Sequence, residues 1–99
     1  MTKAVPLLNE RFVLAEDAFA EIRIWQVPRA VAGSSHDLKY PLALVAAGKC
    51  VLRYDNEAGK GDHRHMADGR EAPYAFQAAE KLIADLWTEV NEWLARNRS

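Results

Sequence analysis

A chain of 99 residues is long enough for one hydrophobic core and too short to divide into two. With 49% hydrophobic and 27% charged residues it lies far from the composition of a disordered chain, and a single domain over residues 1–99 is expected. A formal net charge of -1 excludes a global attraction to nucleic acid or anionic membrane, so any polyanion site must be a local patch. No apolar run approaches the roughly 20 residues that cross a bilayer, and the first residues lack the apolar segment of a signal peptide. The expectation is a cytoplasmic protein that makes no use of the membrane. The lone Cys50 cannot form an internal disulfide and, in an apolar run, reads as a buried, inert thiol.

Four runs in the first half, at 11–14, 19–27, 38–45 and 50–55, alternate apolar and polar residues between turn residues and predict strands. Glu16 and Asp17, and then Ala47, Gly48 and Lys49, make short connections that suit antiparallel hairpins. The stretch 28–36, with Pro28, Gly33, Ser34 and Ser35, reads as a longer surface loop. Pro41 removes one ladder donor and pushes its strand toward an edge or a bulge. From 77 to 96, Leu82, Ile83, Leu86, Trp87, Val90, Trp93 and Leu94 recur at three- and four-residue steps, the apolar face of an amphipathic helix. That face must be buried on the sheet, which predicts an α+β fold of two layers: a small antiparallel sheet of about four strands packed on a C-terminal helix. Trp87 and Trp93 suit either the core or a homodimer contact.

Alternation assigns residues to sheet faces. Ile22, Ile24, Leu38, Tyr40, Leu42, Leu44, Leu52 and Tyr54 form the apolar set that should meet the helix. Arg23, Lys39 and Arg53 then share the outer face with Trp25, an arrangement that suits phosphates and a stacked base, although Glu21 and Asp55 could simply pair with the cations.

The stretch 55–65 is almost wholly polar and reads as one charged loop holding two of the three histidines. Gly59 and Gly61 permit positive φ, so that backbone N–H groups there could point at an anion, with Lys60 adding charge. His63 and His65 are two apart, and in extended chain both imidazoles project to one side. Two chemistries fit. In one, the pair acts as base and acid on a ribose 2′-hydroxyl and a leaving 5′-oxygen, Asp62 orients one imidazole, and Lys60, Arg64 or Arg53 stabilises the phosphorane, with no metal or other cofactor. In the other, the pair clips a divalent metal, with Asp55, Glu57, Asp62 or Asp68 completing the shell. His36, far off in the 28–36 loop, is assigned no role.

The block Tyr54-Asp55-Asn56-Glu57-Ala58-Gly59-Lys60-Gly61-Asp62-His63-Arg64-His65, with Trp25-Gln26-Val27-Pro28 before it and Glu71-Ala72-Pro73-Tyr74-Ala75-Phe76 after it, resembles the TumE family of prokaryotic toxin–antitoxin systems. The similarity covers nearly the whole chain. It shows no departure inside the block and more around Gln77, where a Ser or Thr helix cap would be expected. It implies a cytoplasmic toxin encoded beside a small DNA-binding antitoxin with which it associates. The combined expectation is a metal-independent endoribonuclease toxin with RNA as substrate. His63, His65, Asp62, Lys60 and Arg64 are its catalytic candidates, and Arg23, Trp25, Lys39, Arg53, Tyr54, Asp55, Asn56, Gly59 and Gly61 its substrate-binding candidates. The alternatives are a metal-dependent nuclease and a non-catalytic module whose exposed aromatic and charged residues bind the antitoxin.

Overall fold

The computed structural model describes residues 4–56 and 61–97. Among them the elements are β1 (Val5–Ala15), β2 (Ala18–Gln26), β3 (Leu38–Lys39), β4 (Pro41–Ala46), β5 (Lys49–Asp55), β6 (His63–Met66), β7 (Glu71–Pro73) and α1 (Ala79–Asn97). The strands pair antiparallel in the order β1-β2-β4-β5-β6-β7, with β3 beside β2. The two-layer α+β arrangement with its C-terminal helix is as the sequence predicts, but the sheet exceeds the expected four strands.

The extra strands have a physical reason to be inconspicuous. His63–Met66 and Glu71–Pro73 are short, and β6 is polar on both faces, so neither shows apolar alternation. The expected loop 55–65 is thus partly sheet: Asp55 closes β5 and His63 opens β6. Pro41 does not drive its strand to an edge. It is the first residue of β4, an interior strand between β2 and β5, a position where a missing N–H is tolerated, and it splits the run 38–45 into β3 and β4. The β4–β5 hairpin turns through Ala47 and Gly48, with φ of 52° and 76°, the two positive values that a type I′ turn requires.

One face of the sheet meets the helix. Leu82, Leu86 and Val90, four residues apart, are fully buried against Ile22, Ile24, Leu42, Leu44, Leu52 and Tyr54. Each such side chain contributes roughly 1.5–3 kcal/mol by leaving water. Trp87 packs edge-on to Phe12 at 5.1 Å, and Trp93 is half-buried beside the same core. Cys50, expected to be buried, is exposed, because it sits next to the hairpin turn rather than in the middle of its strand. The helix covers a single face, and no described helix or strand covers the other.

Candidate functional site on the open sheet face

The register fixes what that open face displays. One row across the sheet runs Arg11, Glu21, Ala43, Arg53, His65, Glu71. The neighbouring row carries Pro41, Asp55, His63 and Pro73. Trp25 lies opposite Lys39, and Arg23 opposite Asn9. Alternation places all of these on the side away from the helix, because their strand neighbours Ile22, Ile24, Leu42, Leu52 and Tyr54 are buried beneath it. With strands roughly 4.8 Å apart, Arg53 stands one strand from His65. The two imidazoles, Arg53, Asp55, Arg23, Lys39 and Trp25 therefore share one face.

The histidine pair has defined surroundings. The ring centroids of His63 and His65 are 6.2 Å apart with planes inclined by 32°, close enough for both to reach oxygens of one phosphate. His63 Nδ1 lies 3.0 Å from the carbonyl oxygen of Gly61, which can only accept, so Nδ1 carries a proton, and in the neutral ring the lone pair is on Nε2. His65 stands between two carboxylates: its Nδ1 is 3.3 Å from Glu71 Oε2 and its Nε2 is 3.6 Å from Asp55 Oδ1. The other oxygen of Asp55 is 2.6 Å from Arg53 Nε. Asp55 is buried, whereas the side chains of Arg53, His65 and Glu71 remain 43%, 36% and 40% exposed, so the pair can be reached from solvent. On β2, Glu21 takes Arg11 at 2.7 Å and Arg23 at 3.5 Å, as the pairing alternative anticipated.

Several expected contributors lie elsewhere. Within β6, where His63 and His65 face outward, Arg64 must face inward, and it does; Asp62, just before the strand, also turns inward. Arg64 pairs with Glu89 of the helix, its NH1 3.1 Å from Oε1, so it is not placed to stabilise a phosphorane on the open face. Asp62 does orient an imidazole, but that of His36. Its Oδ2 accepts from His36 Nε2 at 2.7 Å and from the Tyr40 hydroxyl at 2.6 Å, while Oδ1 accepts from the Ser34 hydroxyl at 2.7 Å. Tyr54 is buried against the helix rather than available to substrate, and its hydroxyl is held by Glu89. Asn56 is fully buried and ties Tyr40 N, Leu38 O and Ser34 Oγ together. Gly61, also buried, sits at φ +87° with its α-carbon so close to Gly33 that a Cβ would lie 2.8 Å from that carbonyl oxygen. Gly59 and Lys60, and Glu57 among the metal-ligand candidates, lie outside the described residues.

The residue that sequence reading passed over is His36. Its ring stacks on Phe76 at 3.7 Å, and its Nδ1 accepts the Leu38 N–H at 3.2 Å. Nothing local to 36 announced its partner, which lies 26 residues on. Burial works against a charge on Asp62, but the donors Tyr40, Ser34 and His36 outweigh it and hold its carboxyl below the ordinary value of 3.8. Burial first, and then the bond to Asp62, push the Tyr40 phenol far upward, so it stays a donor.

Three cavities of about 200, 240 and 260 Å³ lie away from the histidine pair; the first is bounded by Arg64, Glu89, Glu92, Trp93 and Arg96. Among the described residues no three His, Cys, Asp or Glu side chains are placed to hold a metal, and no helix is long and apolar enough to cross a membrane.

Among the described residues, fold and face together define a small α+β protein with one sheet surface covered by a helix and the other polar and carrying two histidines. A family model described as Toxin TumE matches residues 3–94, and the chain belongs to the TumE toxin family. Its members are toxins of toxin–antitoxin systems, so an antitoxin is the partner class that membership carries. None of the curated proteins and none of the solved structures compared with the chain matches it.

Proposed function

We propose that the toxin is a metal-independent endoribonuclease that cleaves single-stranded RNA on its open sheet face. The observation that carries this reading is the convergence of His63, His65 and Arg53 on one solvent-reachable surface. His63, with its proton on Nδ1, offers Nε2 as general base to the ribose 2′-hydroxyl. His65, its Nδ1 backed by Glu71, donates the Nε2 proton, which at 3.6 Å from Asp55 is not hydrogen-bonded there, to the leaving 5′-oxygen; the bond from 2′-oxygen to phosphorus forms as the bond to the 5′-oxygen breaks, and a 2′,3′-cyclic phosphate remains. Arg53 stabilises charge on the phosphorane, and Lys39, Arg23 and Trp25 take the flanking phosphates and a base. An open face rather than an enclosed cavity suits a polymer.

The test is cleavage of RNA by purified protein with a chelator present. The expected products carry 2′,3′-cyclic phosphate ends, and the His63→Ala, His65→Ala double variant folds but leaves RNA intact. Cleavage that stops with chelator and returns with added metal refutes the metal-independent mechanism. A growth assay, wild type against the double variant with and without the adjacent antitoxin gene, asks the same question in the cell.

A second reading, a non-catalytic module that acts by binding its partner, is favoured by one observation. Val5, Leu7, Phe12 and Val13, the exposed large hydrophobic residues among those described, all lie on the edge strand β1. RNA left intact under every condition, together with tight antitoxin binding, would select it.

A further inference from the structure

The cluster beneath the histidine pair has a use of its own, which rests on the ribonuclease reading only for its catalytic consequence. We infer that His36 is a positioning residue which, by holding Asp62, sets His63 as a base.

The Gly61–Asp62 unit is pinned from several directions. The Asp62 carboxylate accepts from His36 and Tyr40 on one oxygen and from Ser34 on the other, and the Asp62 carbonyl accepts the Tyr74 N–H at 2.8 Å. Gly61 packs onto the Gly33 carbonyl of the same loop that supplies Ser34 and His36. His36 itself admits one arrangement: Nδ1 accepts from Leu38 N, so Nε2 bears the proton given to Asp62, and the ring lies flat on Phe76. Held in this way, the Gly61 carbonyl stands at Nδ1 of His63. The partner of one ring nitrogen decides the tautomer and therefore which nitrogen is left to accept a proton. In a chain whose Asp62 is loose, that carbonyl moves and His63 distributes its proton over both nitrogens.

The experiment is long-range ¹H–¹⁵N correlation NMR of the histidine rings in the full chain, at mildly alkaline pH. In the wild type the Nδ1–H tautomer of His63 dominates. His36→Phe keeps the stack on Phe76 and removes both polar contacts, and the signal shifts to a mixture of tautomers. His36→Gln, whose amide can still donate to Asp62, returns it toward the wild-type position. A mixed tautomer in the wild type, or an unchanged His63 in a folded His36→Phe variant, overturns the inference. Should His36→Phe not fold, Tyr40→Phe removes one donor to Asp62 and keeps the ring; the shift then has the same sense and smaller size, and its absence is equally decisive. RNA cleavage measured in parallel falls severalfold in kcat at unchanged KM. If the wild type cleaves no RNA, the ribonuclease reading fails while the tautomer signal still judges the role of His36.

Discussion

Asp62→Asn tests the interior cluster by stability alone. Turned the favourable way, the new amide keeps its oxygen toward His36 and Tyr40 and sets its NH₂ against the Ser34 oxygen. Two bonds then lose their charge, each weakening from about 1.5–3 to about 0.5–1.5 kcal/mol, and the Ser34 hydroxyl loses its acceptor at roughly 1 kcal/mol more. The loss at neutral pH is about 3 kcal/mol, which in a domain of this size lowers Tm by roughly 12 °C or more. The pH dependence has a definite sign. The folded carboxyl titrates below its ordinary 3.8, so the unfolded chain binds the proton more readily; the stabilisation is present above 3.8 and is lost as pH falls through the folded value. The gap between wild type and variant, read by circular dichroism melts from neutral to strongly acidic pH, should close from 3.8 downward. A neutral-pH loss under about 1 kcal/mol, less than a single charge-assisted bond, would refute the reasoning, as would a gap that does not change with pH.

Gly61→Ala is expected to destabilise by about 2–3 kcal/mol, through left-handed strain plus the contact with the Gly33 carbonyl. Gly48→Ala, also at positive φ but with open space around it, should cost less when both variants are unfolded in urea, and equal costs would remove the close approach from the account. On the ribonuclease reading, Trp25→Ala loses one stacked base, about 1–3 kcal/mol, so RNA affinity measured by fluorescence anisotropy falls tenfold or so while the melt is unchanged; unaltered affinity would take Trp25 out of the RNA path.

How much of this was legible in the sequence depended on the range of the interaction. The helix face Leu82, Leu86, Val90 and the alternating strands 19–27 and 50–55 were readable because burial against one partner layer imposes a local period. The same period put His63 and His65 on one side and, followed consistently, would have put Arg64 on the other; grouping the three in one catalytic set ignored it. Strands β6 and β7 were hidden because they are short, and β6 in addition carries polar residues on both faces, so neither leaves a hydrophobic alternation to detect.

Residue order alone, then, fixed the class of fold, the helix, the sidedness of strands 19–27 and 50–55 and the family to which the chain belongs. Only the tertiary structure decided which strands are neighbours, and with that which charges meet: Arg53 and Asp55 beside His65, Glu71 on its far side, and His36 beneath Asp62. Periodicity is a property of one element and its exposure, whereas these pairings join elements through the register of the sheet. No local pattern encodes a partner 26 residues away.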